Sequence, residues 1–577
     1  MKIQDLYKLK IRKKLAHYNL SDEQIYFLLT IVVGVLSGIT AVFINKAVHF
    51  LSHLMGTNNS FNLIAWISGA VAIFLSGYLT TRFFPETSGS GIPAVKVLLV
   101  AKNGIFNSRF WPAKLITTIL TLISGLRLGR EGPTVAVSAG LGSTLAQTFS
   151  LSKKRTKSLV AQASAGAIAA AFNTPIAAIF FTLEEVVGDL NAKSIGPIVI
   201  SALLASYTSY LFLGNYHLFP EFEYSLTETS QLIIYLAIGI VSAFLGPAWV
   251  RFVLFLRKQN MKLFKGHRLS IIMTSFVLVA LAGMIAPLIL GGGHIGIREA
   301  LLGNIEGIHI IALLFVLKFL ATGISYACGA SGGLFMPTLF IGAMVGALVA
   351  SVFQLISPEW VGEIGPYALV GMGAYFVSVI RAPFTSILII FELTHDYNII
   401  LPLMLANISS YLISSQLKFN KGGIYEALSE QDGLHLPSRE DDELLDQLHV
   451  EDAMKKDVAS LSEKMPLAEA LVEAGKFGFS GYPVMRGDRI FGVTTVNEIR
   501  IAIAKDEKKI HLKDICQKDL ITVFPDQSLL VAFHKLKKHN VGRIFVVSRI
   551  NHNFLLGIIT AEDIVSQFGF HIQEDSS

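Results

Sequence analysis

Thiols and charge are what this sequence is short of. Its two cysteines, Cys328 and Cys516, lie far apart in unlike surroundings, which argues against a disulfide framework and against a thiolate metal site. Charged residues are 16% of the chain against about 25% in soluble domains, so much of the chain belongs in lipid. A cleavable leader is not expected either. The basic start (Lys8, Lys10, Arg12, Lys13, Lys14) runs straight into the long apolar stretch 26–50, which reads as a first transmembrane helix. The net charge of +6 is divided among Lys/Arg clusters between apolar segments, a pattern of membrane topology and not of nucleic-acid binding.

What is there is apolar sequence with interruptions. Residues 26–416 are mostly apolar, whereas 438–577 read as an ordinary soluble domain. The expected organisation is a cytoplasmic N-terminal segment 1–25, a transmembrane domain 26–430, a linker 431–447 and a soluble domain 448–577. The pivotal interruption is Gly125-Leu126-Arg127-Leu128-Gly129-Arg130-Glu131-Gly132-Pro133. An ionisable side chain at the bilayer centre costs about 2.5–3.5 kcal/mol, so a buried Arg130-Glu131 pair marks an ion or substrate path. Pro133 suits the opening turn of a helix, where its missing N–H is no loss. The stretch therefore reads as a broken helix whose first amides, with Arg130 beside them, face an anion. Glu131 is itself an anion and can compete for that place.

The charge pattern sets an orientation. The basic N-terminus, Arg82, Lys153–Lys157 and the cluster Arg257, Lys258, Lys262, Lys265 and Arg268 are expected inside. The loop near Gly56–Ser60 and the acidic stretches Glu221–Glu228 and Glu359–Glu363 are expected outside. The two halves also resemble each other at an offset of about 204 residues. Gly89-Ser90-Gly91-Ile92-Pro93 answers to Gly291-Gly292-Gly293-His294-Ile295, and Gly132-Pro133 to Met336-Pro337, each opening a small-residue helix. Asn173-Thr174-Pro175 before Leu183-Glu184 answers to Arg381-Ala382-Pro383 before Phe391-Glu392. Matching loops carry opposite topological signals, so the halves, about 26–213 and 231–416, are expected upside down relative to each other. Inverted repeats with Gly/Pro-interrupted helices point to a transport site near the midplane. The fold class expected is an all-α polytopic membrane protein with two inverted repeats and broken helices, followed by a small α/β domain.

Inversion lets helix openings from both halves aim their amides at one place: Ser90-Gly91-Ile92, Gly132-Pro133 and Gly332-Gly333-Leu334-Phe335-Met336-Pro337. Backbone N–H groups hold an anion without burying a full positive charge, and glycine allows close approach. Modest binding at several sites is what conduction requires. These residues resemble the signatures of the CLC family of chloride channels and proton-coupled chloride antiporters. Gly89–Pro93 looks like the first, Gly129–Pro133 the second and Gly333–Pro337 the third; Tyr425, in a last helix over 423–430, matches the fourth. The resemblance covers roughly residues 26–430. It departs at Ala94, where several relatives carry a glutamate. It implies that Ser90 and Tyr425 donate hydroxyls to a central chloride and that the Leu334 and Phe335 amides bind the same region. Glu131 would be the external gate. Gly91, Ile92, Arg130, Gly132 and Gly333 complete the candidate anion site.

Channel or antiporter turns on a second glutamate. Glu184-Glu185 ends an apolar run just before the polar stretch from Gly188 to Lys193. Glu184 pairs with Glu392 in the repeat, which suggests capping or bracing; Glu185 pairs with Leu393, which leaves it a free role. Family antiporters are similar in having a glutamate at the position of Glu185, so protons are expected to reach Glu131 from Glu185. The reading is a proton-coupled chloride antiporter, with a passive chloride channel as the alternative and fluoride export disfavoured by Ser90 and Tyr425. No cofactor is required, and chloride, protons and the bilayer are the expected partners. The resemblance also implies a homodimer, in a bacterial inner membrane, with both termini cytoplasmic.

Beyond the linker, two units of about sixty residues each combine a helix with short β runs: 482–485 and 490–494, then 543–547 and 556–560, each ending in a helix, at 497–504 and 561–568. They resemble a CBS-domain pair, which implies a possible adenine-nucleotide cleft at Thr560 and Asp563; Thr495 and Glu498 fit less well. One reading of another class arises from Gly329-Ala330-Ser331-Gly332, which matches the serine motif of rhomboid-type intramembrane proteases. That chemistry needs a histidine base, and His395 is the sole membrane-region candidate after Ser331. The remaining glycine motifs would then be idle, so no enzymatic activity is expected.

Overall fold

The computed structural model describes residues 21–567 apart from 56–62, 127, 189–194, 215–218, 220–230, 265–266, 418–421, 433–444, 478–480, 505–510, 519, 540, 561 and 565. Several expected features lie outside the described residues: Lys8 to Lys14, Arg127, the loop near Gly56–Ser60, Asp189 to Lys193, Glu221–Glu228, Lys265, most of the linker (433–444), and Ala561 and Phe568. The chain forms two units, Met1–Leu436 and Pro437–Ser577.

Among the described residues, the first unit is built of two sets of eight helices. The first set is α1 (Asp22–Leu54), α2 (Leu63–Arg82), α3 (Ile92–Ala101), α4 (Phe110–Ile123), α5 (Glu131–Thr148), α6 (Lys153–Phe172), α7 (Pro175–Phe181) and α8 (Ile195–Leu213). The second is α9 (Gln231–Leu263), α10 (Arg268–Ile285), α11 (His294–Leu301), α12 (Ile308–Ala327), α13 (Phe335–Ile356), α14 (Ile364–Ile380), α15 (Pro383–Thr394) and α16 (Ile400–Gln416). The sets correspond helix for helix, including a 3₁₀ turn before α3 (Pro85–Thr87) and before α11 (Pro287–Ile289). A last helix, α17 (Ile424–Gln431), closes the unit. Among the described residues, seven helices are long and apolar enough to cross a membrane. The 33-residue α1 and α9 are each about 50 Å long, more than the roughly 30 Å of a bilayer core. Helix α1 starts at Asp22 and not at 26, because Ser21 and Gln24 close a capping box there.

Four features copied in both halves hold this arrangement. Gly129 and Gly333 bond to each other as an antiparallel pair, N···O 2.7 and 2.6 Å. Equivalent residues that pair with each other must straddle a two-fold axis, which is the inverted symmetry expected from the loop charges. Lys114 on α4 donates to the carbonyls of Thr87 and Gly89 at 2.7 and 2.6 Å. Lys318 on α12 donates to those of Ile289 and Gly291 at 2.9 and 3.0 Å. Both lysines are fully buried, and each ties down the loop that opens a broken helix. Small residues let the helices cross closely: Gly342 and Gly346 of α13 lie against Gly371 and Tyr367 of α14, and Gly142 of α5 against Leu159 and Ala163 of α6.

The fourth copied feature separates the two adjacent glutamates. Glu184 accepts from the Phe384 and Thr385 amides and the Thr385 hydroxyl at the start of α15. Glu392 on α15 accepts from the Ile176 and Ala177 amides at the start of α7 at 3.0 and 2.7 Å. Each carboxylate caps the helix that carries the other. The first turns of α7 and α15 have orphan N–H groups that a side-chain anion satisfies. After α7 the chain winds as a π turn, Thr182–Val187, which α15 lacks. That extra residue per turn sends Glu185 inward while Glu184 reaches α15.

The second unit contains two three-stranded sheets. Strands β1 (Leu461–Ser462), β2 (Gly481–Arg486) and β3 (Arg489–Thr495) form one; β4 (Thr522–Val523), β5 (Arg543–Val547) and β6 (Leu555–Thr560) form the other. The first pair in each sheet is parallel and the second antiparallel. The two-residue strands β1 and β4 are too short to leave a pattern in the sequence. The segment before each sheet docks on the other one: Lys455 pairs with Ile558, and Gln517 with Val493. Leu445 and Leu448 are accordingly buried with Val523 and Leu529, so the unit begins ahead of residue 448.

Glu392→Ala should destabilise the membrane unit by about 1–2 kcal/mol, the usual worth of a helix cap. Thermal unfolding in detergent reads this directly; an unchanged melting temperature would show that the cap contributes nothing.

Candidate functional site

The three glycine-rich loops meet. Gly89 accepts from the Gly332 amide at 3.2 Å, and Gly333 pairs with Gly129. Gly91, at φ +92°, turns the chain into α3 in a conformation that side chains resist. A Cβ on Gly132 would strike the Ser90 hydroxyl, and one on Gly91 would strike Ala136. The loops are therefore in backbone contact, and the first turns of α3, α5 and α13 all open here.

Around that meeting point stand buried polar atoms with no hydrogen-bond partner: Ser90 Oγ, Tyr425 Oη and Glu131 Oε2. Tyr425, on the first turn of α17, turns its hydroxyl towards Ser90 and lies within electrostatic reach of Glu131 and Glu185. An orphaned buried polar group costs about 1–3 kcal/mol, so two hydroxyls aimed at one spot are built for a ligand that accepts hydrogen bonds. Leu334 and Phe335 are buried at the opening of α13, with the Phe335 ring packed on Phe172, Phe181 and Phe376 at centroid distances of 4.7, 5.6 and 4.6 Å. The surroundings are dry and apolar, and the donors are peptide N–H and hydroxyl groups. Such a site suits a weakly hydrated monovalent anion.

Glu131 sits inside the same constellation. Its side chain is 2% exposed and its carboxylate meets the backbone N–H groups of Glu131 itself and of Met336, at the starts of α5 and α13. Gly129 makes room for Oε2, since a Cβ there would collide with it. Arg130 is placed differently from the expectation. Its guanidinium donates to Asn45 Oδ1 at 2.8 Å, and its Nε stands 4.0 Å from the Glu131 carboxylate. It lines a cavity of about 340 Å³ together with His294, whose Nε2 is also 4.0 Å from Glu131. Asn45 holds the guanidinium on that side, so Arg130 acts on the carboxylate as a neighbouring charge and is not a ligand beside Ser90 and Tyr425.

Glu185 is buried, and its carboxylate takes a 2.8 Å bond from Lys96 on α3. The same ammonium reaches Glu426 at 3.2 Å. Lys96 and Glu426 were not among the residues that the sequence singles out. Their signal was present: Lys96 is an ionisable residue inside an apolar ten-residue helix, and Glu426 adjoins Tyr425. His294 had the same kind of signal, as the counterpart of Ile92 in the repeat. Ser331, the protease-like serine, has its hydroxyl bonded to Thr118 at 2.9 Å, and His395 is the C-cap of α15; the serine braces the two halves where the loops meet.

In the tail, Thr560 and Asp563 form a closed turn. The Thr560 amide and hydroxyl both contact Asp563 Oδ2, and Lys455 grips Oδ1 at 2.8 Å. Burial would raise the Asp563 carboxyl, but these donors hold it below the ordinary aspartate value. In the first half of the tail Glu498 is held the same way by Thr495 and Gln517. Both Asp563 oxygens thus already accept hydrogen bonds from within the protein.

Comparison with known proteins adds the following. The sequence model of a family described as voltage gated chloride channel matches residues 72–415, and that of the CBS domain matches 450–505 and 512–569. A curated relative from Vibrio campbellii, named H(+)/Cl(-) exchange transporter ClcA, is 32% identical over 404 residues, covering 67% of this chain and 85% of its own. The protein of that name from Vibrio cholerae is 30% identical over 427 residues, covering 71% and 91%. Among solved structures, a slow cyanobacterial Cl−/H+ antiporter superposes with a TM-score of 0.64 at 25% identity, over 70% of this chain and 97% of that one. A eukaryotic CLC transporter, 20% identical, shares the fold over 93% of this chain and 98% of its own, with a TM-score of 0.68.

Gly132→Ala pushes a methyl group into Ser90 Oγ and should weaken halide binding, measured by calorimetry, at least tenfold. Gly196→Ala, where a Cβ meets nothing within 4 Å, should leave binding unchanged. Equal effects of the two would detach the Ser90–Gly132 contact from the anion site.

Proposed function

The chain belongs to the voltage gated chloride channel family, and from that premise we propose that it exchanges chloride for protons across a membrane, with Glu131 as the gate. The observation that carries this reading is the seat of Glu131: a buried carboxylate beside the opening amides of α5 and α13, where the three broken helices meet. When ionised, the carboxylate satisfies those amides itself and shuts the path. A proton removes its charge, the side chain leaves, and chloride takes its place beside those amides before passing to the Ser90 and Tyr425 hydroxyls and the Leu334 and Phe335 amides. The protein needs no covalent chemistry for this and no charged well that would trap the ion. Protons arrive from Glu185, which is buried, charged-paired and adjacent to α3 and α17, the two elements that carry Ser90 and Tyr425.

The basic loops Lys153–Lys157 and Arg257–Arg268 support a cytoplasmic placement of those ends, and the Vibrio relatives support a bacterial inner membrane. A homodimer is part of the proposal; exposed apolar side chains such as Leu203 and Leu211 on α8 and Leu401 and Leu412 on α16 offer a face to a second copy. We read the tail as internally satisfied bracing, since Lys455 occupies Asp563. ATP titrated into the full-length protein should accordingly give no saturable heat of binding; saturable binding lost in Asp563→Ala would restore the nucleotide reading.

The exchange itself is tested in proteoliposomes by following chloride and pH together. A chloride gradient should drive protons against their own gradient. Glu185→Gln should keep chloride flux and abolish proton movement, and Glu131→Ala should lose both coupling and the pH dependence of chloride flux. Chloride flux with no uphill proton movement in the unaltered protein would leave a passive channel.

A further inference from the structure

Lys96, Glu185 and Glu426 join three elements at one point: α3, whose mouth carries Ser90; the π turn after α7; and α17, where Glu426 follows Tyr425. One ammonium serves two carboxylates at 2.8 and 3.2 Å. Side-chain exposure is graded across the cluster, 8% at Glu185, 12% at Lys96 and 27% at Glu426. The other groups that face it are accounted for. Glu184 is the nearest additional carboxylate and is spent on the α15 cap; the Tyr425 hydroxyl is neutral and turned to Ser90.

With every group ionised the cluster carries one net negative charge. Burying an unbalanced charge is far costlier than burying a balanced set, so the cluster gains from binding one proton. That proton belongs to the cluster and not to a single carboxylate, because both share one counter-ion.

We propose that Lys96 and Glu426 load the transported proton: the cluster takes it from solvent at Glu426 and yields it from Glu185, with Lys96 positioning both carboxylates. This rests on the exchange reading. A solvent proton forms an O–H bond on Glu426 while Lys96 stays with ionised Glu185. The proton then passes to Glu185 as Lys96 turns to the freed Glu426 carboxylate. Departure of the proton towards Glu131 breaks the Glu185 O–H bond and restores the starting state, with Lys96 between two carboxylates. Neither transfer needs a backbone movement, since the ammonium already touches both partners.

Substitutions of the two residues have opposite effects, which a packing role would not produce. Glu426→Gln leaves a neutral Lys96–Glu185 pair with little demand for a proton. Lys96→Met leaves two carboxylates and no counter-ion, a cluster that holds its proton tightly. The experiment measures chloride-driven proton flux in proteoliposomes while pH is varied on each face in turn. The midpoint should move at least one pH unit towards acid in Glu426→Gln and at least one towards alkaline in Lys96→Met, on the same face. Lys96→Arg, which keeps the charge, should retain the unaltered midpoint, and Lys96→Gln replaces Lys96→Met if the latter does not fold. Shifts in the same direction, or none, with proton pumping intact would overturn the loading role alone. Absence of uphill proton movement in the unaltered protein would instead overturn the exchange reading beneath it.

Discussion

The whole membrane unit depends on turning peptide N–H groups from two inverted halves towards one dry spot. Peptide dipoles come in pairs of ends, so presenting the amides means disposing of the carbonyls. Lys114 and Lys318 do this: each buried ammonium takes two loop carbonyls, those of Thr87 and Gly89 in one half and Ile289 and Gly291 in the other. The full positive charges of the region are thereby used on the protein's own oxygens, and Arg130 is held by Asn45. The anion is left with partial charges, whose grip is loose enough for turnover. The same economy lets a carboxylate as ordinary as that of Glu131 compete with chloride.

Two neighbouring glutamates show how little separates scaffold from mechanism. Glu184 and Glu392 cap each other's helices across the two-fold relation, so they serve the repeat itself. Glu185 has no twin. The π turn is what breaks the symmetry: it inserts an extra residue in the turn after α7 and so carries a second carboxylate to Lys96. π turns of this kind are often found at functional sites. An inverted repeat builds a symmetric slot, and transport in exchange for something else needs one asymmetric feature. Here that feature is the buried charge cluster on the side of α3 and α17.

Much of this was legible in the sequence because it rests on glycine, proline and misplaced charge. Gly129, Gly132 and Gly333 could be read as close-approach positions, and they are; the mutual pairing of Glu184 and Glu392 in the repeat foretold a bracing role that the caps bear out. What escaped depends on side-chain direction and on long-range pairing. Nothing in the local pattern shows that Lys96 will meet residues 89 and 330 positions away, or that Arg130 will be drawn off to Asn45. The tail shows the same: strands β2, β3, β5 and β6 announced themselves as short β-rich runs, whereas the two-residue strands and the exchanged docking of Lys455 and Gln517 did not.

On the proposed mechanism, an ionised Glu131 and a chloride exclude each other from one set of peptide nitrogens. Chloride affinity measured by calorimetry on the purified protein tests it most directly, at neutral and at mildly acidic pH, beside Glu131→Gln. The account predicts that acid strengthens chloride binding in the unaltered protein and that Glu131→Gln binds tightly at both values. Affinity in the unaltered protein that ignores pH, or weaker binding in Glu131→Gln, would contradict it.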